Sequence, residues 1–197
     1  MEINLMLENL SNYRVVLASA SPRRQELLKE LGLSFTVRPA SVDEVYPENL
    51  GMTAIPEFLS ELKAEALAET MADDELIISA DTIVWKEGDV LGKPANRGEA
   101  CAMIRSLAGS QHEVITGVTL LSKAKKRSFH AVTEVWFEEL TDEEINYYVD
   151  KYQPMDKAGA YGIQEWIGFV AVSKIEGSFY NVMGLPVHKL YHALKEF

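Results

Sequence analysis

Long apolar runs are missing from this 197-residue sequence. No stretch approaches the ~20 apolar residues that a membrane-crossing helix needs, and Met1 to Asn12 lacks the basic start and apolar segment of a secretory signal. Cysteine is almost absent. With Cys101 alone, no intrachain disulfide can form, and the chain suits a reducing compartment. These absences predict a cytoplasmic protein without membrane contact. The neighbours of Cys101, Ala100, Ala102, Met103 and Ile104, read as a core helix, so its thiol is expected to be buried and inert.

Positive charge is also scarce, with 19 Lys and Arg against 30 Asp and Glu for a net charge of -11. Broad contact with a nucleic-acid polymer needs a continuous basic surface, so that function is excluded. Any anionic ligand must meet a local cluster of cations. Internal repeats, low-complexity segments and linkers are lacking as well. What remains is an ordinary globular composition, 47% hydrophobic and 25% charged. It suffices for one substantial core, or for two lobes sharing a cleft, with a single compact unit as the default.

The order of apolar patterns predicts interleaved α/β structure. Arg14 to Ala18 reads as a strand that passes through Ser-Pro into a helix ending near Gly32. Phe35 to Arg38 reads as a second strand, followed by a loop from Ala40 to Met52. Ile55, Phe58, Leu59, Leu62 and Ala66 then mark one face of a long helix, with Thr53 as its cap. Leu76 to Trp85 is a β segment interrupted by Asp81 and Thr82, and Glu87-Gly88-Asp89 suits a turn. Arg97 to Leu107 is helical up to Gly109. Glu113 to Leu121 and Phe129 to Phe137 form a hairpin with a basic tip. Thr141 to Glu144 is a capping box, Phe169 to Ile175 reads as a strand, and Pro186 opens the last helix.

Two arginines directly behind a helix start are unexpected. In Ser19-Ala20-Ser21-Pro22-Arg23-Arg24, Ser21 reads as the cap and Pro22 as the first helical residue. A helix N-terminus carries partial positive charge, so cations are disfavoured there by about 0.3–1 kcal/mol unless an anion answers them. Backbone N–H groups, the hydroxyls of Ser19 and Ser21 and the guanidinium forks together suit a polyphosphate. Consecutive helical residues point ~100° apart, so Arg23 and Arg24 are expected to serve different groups. Solvated arginines are the ordinary alternative.

Asp81 lies within an apolar segment, where an unpaired carboxylate is costly and a metal ion or cation relieves the cost. Otherwise it is an aspartate in a turn between short strands. Asp43 and Glu44 add carboxylates in the long loop, and a hard oxygen set of this kind suits Mg²⁺ or Mn²⁺. Lys63 reads as the shoulder of an apolar helix face and Lys93 as a loop cation, each ordinary by itself. Gly159 to Gln164 allows close backbone approach and ends in an amide that can read a base edge. His188 and His192 have the spacing of a zinc helix, but they lack its glutamate and a third ligand. Lys123 to Arg127 reads as a solvated hairpin turn.

In order along the chain, Leu17-Ala18-Ser19-Ala20-Ser21-Pro22-Arg23-Arg24, Ala80-Asp81-Thr82, Gly92-Lys93-Pro94, Lys157 to Gln164 and Gly184-Leu185-Pro186 resemble the Maf family of nucleotide pyrophosphatases. The resemblance covers roughly residues 13–195. It implies an elongated α/β fold, a twisted mixed sheet flanked by helices with a deep cleft between two lobes, related to the inosine triphosphate pyrophosphatases. Residues 13–197 then form a single catalytic domain, preceded by an N-terminal extension, residues 1–12, with no assigned role.

Carried over position by position, the resemblance places Ser19, Arg23, Arg24, Glu44, Lys63, Asp81, Lys93 and Gln164 in the family's functional set, with Asp81 as its catalytic aspartate. Arg23, Thr82 and Gln164 look like the set acting on dTTP and UTP, whereas members favouring 7-methyl-GTP carry tryptophan in place of Arg23. Glu165-Trp166, directly after Gln164, departs from the pattern beside the residue that would read the base. The implied reaction cuts a small-molecule nucleotide between its α and β phosphates, with Mg²⁺ or Mn²⁺ held by Asp81 and Glu44, in a homodimer. Two rivals stay open: a pyrophosphatase for a modified purine nucleotide such as 7-methyl-GTP, and a nucleotide-binding regulator of septum formation and cell division.

Overall fold

A computed structural model of the chain describes residues 5–197. β1 (Arg14–Leu17) passes through Ser19 to Ser21 into α1 (Pro22–Glu30), and β2 (Phe35–Val37) returns parallel to β1. After a long loop come α2 (Ala54–Glu65) and β3 (Glu75–Lys86), which pairs in parallel along the other edge of β1. Glu87 and Gly88, both at positive φ, turn the chain into β4 (Asp89–Leu91), antiparallel to β3. Left-handed conformation at both central residues matches the strand twist of a two-residue hairpin. α3 (Arg97–Leu107), β5 (Gln111–Leu121), β6 (Lys126–Phe137), α4 (Asp142–Tyr152), α5 (Trp166–Val170), β7 (Val172–Glu176), α6 (Phe179–Val182) and α7 (Val187–Lys195) complete the chain.

The strands form one sheet in the order β2-β1-β3-β5-β6-β7, with β4 on β3, and β7 is antiparallel to β6. Parallel and antiparallel pairs coexist, as the expected mixed sheet requires. Among the described residues, no helix is long and apolar enough to cross a membrane.

The chain divides into two compact units. The first holds residues up to Asp81, Thr116–Ala131 and Gly184–Phe197. In it Val16, Ala18 and Ile77 pack with Ala64, Leu67 and Met71 in an apolar cluster. A turn at Leu5–Leu10 packs on α7, where Asn9 Nδ2 donates to Leu194 O at 2.7 Å. The stretch ahead of β1 is therefore anchored to α7 through Asn9. The second unit holds Thr82–Ile115 and Val132–Met183. Its core joins Ala100, Cys101, Ile104 and Leu107 of α3 to Ile145, Tyr148 and Val149 of α4. Cys101 is buried with a free thiol, as its apolar setting predicts.

Several local expectations need correction. On α2 the buried residues are Ile55, Pro56, Leu59, Ser60, Lys63 and Ala64, while Phe58 and Ala66 are exposed. The inward face is thus rotated from the apolar stripe and includes polar groups. Ser60 can face inward because Ser60 Oγ lies 2.8 Å from Thr119 Oγ1, and Ser79 Oγ donates to the Ser60 carbonyl at 2.6 Å. Buried hydroxyls satisfied in this way cost little. Gly117 of β5 completes the arrangement. A Cβ there would collide with the backbone of Pro56, so the bare strand lets the first turn of α2 settle against it.

Thr53 and Ser21 precede their helices but make no side-chain cap. Thr53 is already helical in backbone, and the carbonyl of Gly51 takes the N–H groups of Ala54 and Ile55 instead. The asparagine before α3 and Thr141 before α4 do cap, the latter in the expected capping box. β3 runs unbroken through Asp81, as the reading of one β segment expects, and not as two short strands with a turn between them. Phe169 and Val170 belong to α5, and the strand begins only at Val172. Their apolar run of β-type residues is what a strand-like reading detects, although both side chains are exposed.

Candidate active site

The first unit gathers most of the candidate residues. Ser19 stands where β1 ends, and its Oγ accepts from the Ser21 N–H at 3.2 Å. Ser19 thus holds the backbone of the turn just before α1, while the first-turn N–H groups of that helix take no side-chain cap. Arg24, on the first turn of α1, donates through Nε to the Gly184 carbonyl at 2.8 Å and places Nη1 3.4 Å from Ser19 Oγ. This contact explains part of the Gly184-Leu185-Pro186 motif, whose first carbonyl anchors an arginine 160 positions away. Burial pushes the Arg24 guanidinium below its usual range. The Asp81 and Glu44 carboxylates oppose that shift, and the neighbouring Arg23 adds to it. Arg24 therefore sits within electrostatic reach of both carboxylates and of the second arginine.

Asp81 lies at the middle of β3, and Lys63 reaches it from the inward face of α2. Lys63 Nζ hydrogen-bonds Asp81 Oδ1 and also lies 2.9 Å from Glu44 Oε1. The side chains of Lys63 and Asp81 are 11% and 9% exposed, whereas Glu44 is 41% exposed. A buried aspartate and lysine thus form the base of the site, and a loop carboxylate closes over the same ammonium. Removing one partner of a buried pair costs about 3–5 kcal/mol when it leaves a charge uncompensated. Lys63 accordingly reads as an integral part of this site, not as a snorkelling shoulder residue.

The remaining candidates lie in the second unit. Thr82 follows Asp81 in the strand, where successive side chains point to opposite faces. Lys93 is exposed in the loop after β4. The neighbouring Gly92 carbonyl accepts from the Gly159 N–H at 3.0 Å, which joins the Gly92-Lys93-Pro94 and Lys157 to Gln164 segments. Gly159 has φ +66°, and its Cα faces Val84 so closely that a Cβ would lie 2.8 Å from a methyl group. Gln164 Oε1 is buried and accepts no hydrogen bond among the described residues.

The other polar features have local explanations. Lys126 pairs with Glu61 and Glu65, and Arg127 with Glu196, while Lys123 and Lys125 donate to the carbonyls of Ala68 and Glu196. The basic hairpin tip is therefore bound to its own unit, with Lys126 and Arg127 already inside β6. His188 and His192 lie on α7, and no cluster of three or more His, Cys, Asp or Glu that could hold a metal occurs among the described residues. The ion pair of Arg38 and Glu75, at 2.7 Å, had no sequence signal. Neither did the contacts of Tyr148 or the role of the Gly184 carbonyl, because both depend on partners far away in the chain.

The family model described as Maf-like protein matches residues 14–197. A dTTP/UTP pyrophosphatase of Parabacteroides distasonis is 58% identical over 193 residues, spanning 98% of this chain and 100% of that protein. One from Bacteroides thetaiotaomicron is 55% identical over 97% of this chain and 100% of its own length. One from Porphyromonas gingivalis is 49% identical over 98% of both. A solved nucleoside-triphosphatase / dITP/XTP pyrophosphatase from Mycobacterium abscessus has 13% identity and a TM-score of 0.39, covering 64% of this chain and 75% of that one.

Proposed function

The chain belongs to the Maf-like protein family, and from that premise we propose that it hydrolyses dTTP and UTP to the nucleoside monophosphate and pyrophosphate. The names of its similar relatives support the reaction and the bases. The observation that carries the chemistry is the convergence of the Asp81 and Glu44 carboxylates on the Lys63 ammonium, with Arg24 within electrostatic reach. Carboxylate, ammonium and guanidinium groups beside a helix N-terminus are what phosphoanhydride hydrolysis needs, since its barrier falls chiefly through positioning and charge stabilisation.

The donor set fits a divalent cation. Asp81 and Glu44 offer hard oxygen ligands close enough to share one positive centre. Mg²⁺ commonly takes one or two carboxylates and completes its shell with water and substrate phosphates. Asp81 and Glu44 would hold the ion. When bound it supplies positive charge to the phosphates and acidifies water.

Asp81 orients the attacking water toward the α-phosphorus and takes its proton on the carboxylate. The new bond forms between that water oxygen and the α-phosphorus, while the bond from the α-phosphorus to the α-β bridging oxygen breaks. Arg24, Lys63, Lys93 and the N–H groups opening α1 meet the charge that gathers on the departing pyrophosphate. Ser19 and Ser21 donate hydroxyls to phosphate, and Arg23 grips the sugar or base side.

For the base, Gln164 and Thr82 supply the choice. An amide oxygen accepts from the N3–H that uracil and thymine present, whereas cytosine offers an acceptor there, and Gln164 Oε1 has no donor among the described residues. Sites that bury polar groups reject ligands that leave them unpaired. The family resemblance further supports a homodimeric cytoplasmic enzyme with residues 13–197 as its functional domain, testable by sizing the purified protein and fractionating cells.

A panel of nucleoside triphosphates assayed for pyrophosphate in Mg²⁺ and in Mn²⁺ tests the proposal. Release should be fastest from dTTP and UTP, with no orthophosphate. Preference for 7-methyl-GTP would move the enzyme to the purine reading. Tight nucleotide binding without turnover would make it a regulator.

A further inference from the structure

Gln164 sits in a tight turn whose two ends meet at one phenol. The Glu165 N–H donates to the Gly162 carbonyl at 2.9 Å, so Gly162 to Glu165 closes as a turn with Gln164 at its third position. The Gly162 N–H donates to Tyr148 Oη at 2.9 Å, and Tyr148 Oη donates onward to Glu165 Oε2. Tyr148 comes from α4, where it is fully buried. On the other carboxylate oxygen, Lys157 Nζ lies 3.2 Å from Glu165 Oε1, and the Lys157 side chain is only 8% exposed. Lys157 also pairs with Asp156 at 2.9 Å.

Gly162 is where these groups need space. A Cβ at that position would lie 2.8 Å from Glu165 Cδ and 3.1 Å from Lys157 Cε. The carboxylate and the lysine stem therefore pack directly over the glycine, and Tyr148 Oη bonds both ends of the turn. Burial, reinforced by the adjacent Glu165 carboxylate, pushes the Tyr148 phenol above its ordinary range, so it remains a proton donor to that carboxylate. The departure noted in the sequence, Glu165 immediately after Gln164, is thus spent on holding the turn, and its carboxylate is already engaged.

We infer that Tyr148, Glu165 and Lys157 form a clamp that sets base selectivity by fixing the turn on which Gln164 presents its amide. They are positioning residues: none of them is assigned contact with the substrate. The inference rests on the proposed role of Gln164. It adds that the accuracy of that role is set by a phenol on a different helix and by the carboxylate next in the chain. Misplacement of a recognition group by about 1 Å can cost up to ~10²-fold.

The test compares Tyr148→Phe, Glu165→Ala and Glu165→Gln with the wild type on a panel of purine and pyrimidine triphosphates, with thermal stability and Gly162 amide hydrogen exchange measured alongside. Phe keeps the ring and removes only the hydroxyl. Gln keeps an acceptor for Tyr148 while losing the charge toward Lys157. In Tyr148→Phe and Glu165→Ala, the ratio of kcat/KM for the favoured base to that for the next should fall about tenfold. The loss should lie mainly in KM for the favoured base, with kcat largely kept, and Gly162 should exchange faster. Glu165→Gln, which keeps the bond to Tyr148 and loses only the ion pair with Lys157, should fall between the wild type and Glu165→Ala.

A folded Tyr148→Phe protein with unchanged base ratio overturns the inference, as does a uniform loss toward every nucleotide. The reference is whichever base the wild type favours. A wild type that prefers something other than dTTP or UTP would reject the proposed substrate while leaving the clamp open to the same comparison. A wild type that turns over no nucleotide would reject the proposed reaction. The clamp would then be judged on nucleotide binding ratios and Gly162 exchange, and unchanged values would reject it.

Discussion

Replacing Asp81 by asparagine exchanges one carboxylate oxygen for an amide nitrogen of nearly the same size, so shape is conserved and charge is lost. The structure allows the two consequences to be separated. Lys63 loses its buried anionic partner but keeps an oxygen at the asparagine and the Glu44 carboxylate at 2.9 Å. The ammonium is therefore not stranded, and the destabilisation should fall below the ~3–5 kcal/mol of a broken buried pair, at about 1–2 kcal/mol. For a chain of this length, that lowers Tm by roughly 2–4 °C for each kcal/mol. Catalysis should suffer more. Removing the group that orients water and accepts its proton costs at least about 10²-fold in turnover, or about 2.7 kcal/mol of barrier. Calorimetry and a continuous pyrophosphate assay on the same sample measure both. A folded Asp81→Asn protein that releases pyrophosphate at near-normal rate would refute the assignment, because no other carboxylate in the site is buried beside Lys63.

Chelation with EDTA should abolish turnover, and Mg²⁺ or Mn²⁺ should restore it; activity persisting in chelator would remove the divalent ion from the reaction. Arg24→Lys should lower kcat/KM by at least about tenfold and lower Tm as well, since lysine keeps the charge but loses the fork that spans Gly184 and Ser19. Gly117→Ala should destabilise the protein by about 1–3 kcal/mol by driving a methyl group into the backbone of Pro56, which a denaturation midpoint reads. The pH dependence of stability should carry the signature of His112. Burial, with Lys86 adding to it, lowers its pKa to about 3, against about 6.5 in the unfolded chain. The unfolded state therefore binds the extra proton between these values, and stability is lost as pH falls from about 6.5 toward 3, by up to about 1.4 kcal/mol per pH unit. His112→Gln, which keeps a polar partner for Tyr161 at the 2.8 Å hydrogen bond, should flatten that slope in urea titrations at successive pH values.

How much of this was legible in the sequence follows from the range of the forces involved. The β1-turn-α1 start, the β5-β6 hairpin and the capping box of α4 depend on neighbours in the chain, and each was found where its pattern lies. The inward face of α2 was misplaced because hydrophobic spacing cannot register Ser60 and Lys63 as buried. Their burial is stable only through Thr119, Ser79 and Asp81, which lie on other elements. Ser21 precedes α1 without capping it, since a helix-start pattern identifies the position and not whether its hydroxyl turns back to the first N–H groups.

The site shows the same division more sharply. Asp81 stood out because a carboxylate among Ile77, Ile78, Ile83 and Val84 violates the surrounding pattern, and such a violation is visible locally. Lys63 and Glu44 did not stand out in that way. A lysine on a helix and a glutamate in a loop are ordinary until a third group gives both a common partner, and that partner was the residue already marked as anomalous. Glu165 is the opposite case. It looked like an intrusion beside Gln164, yet its carboxylate is accounted for by Tyr148 and Lys157. A buried charge is thus a reliable pointer to a site only after its partners are known. Asp81 meets a cation held by another carboxylate beside a helix N-terminus, an arrangement suited to phosphate. Glu165 meets a phenol and a lysine that close a turn, an arrangement suited to holding the neighbouring amide in place.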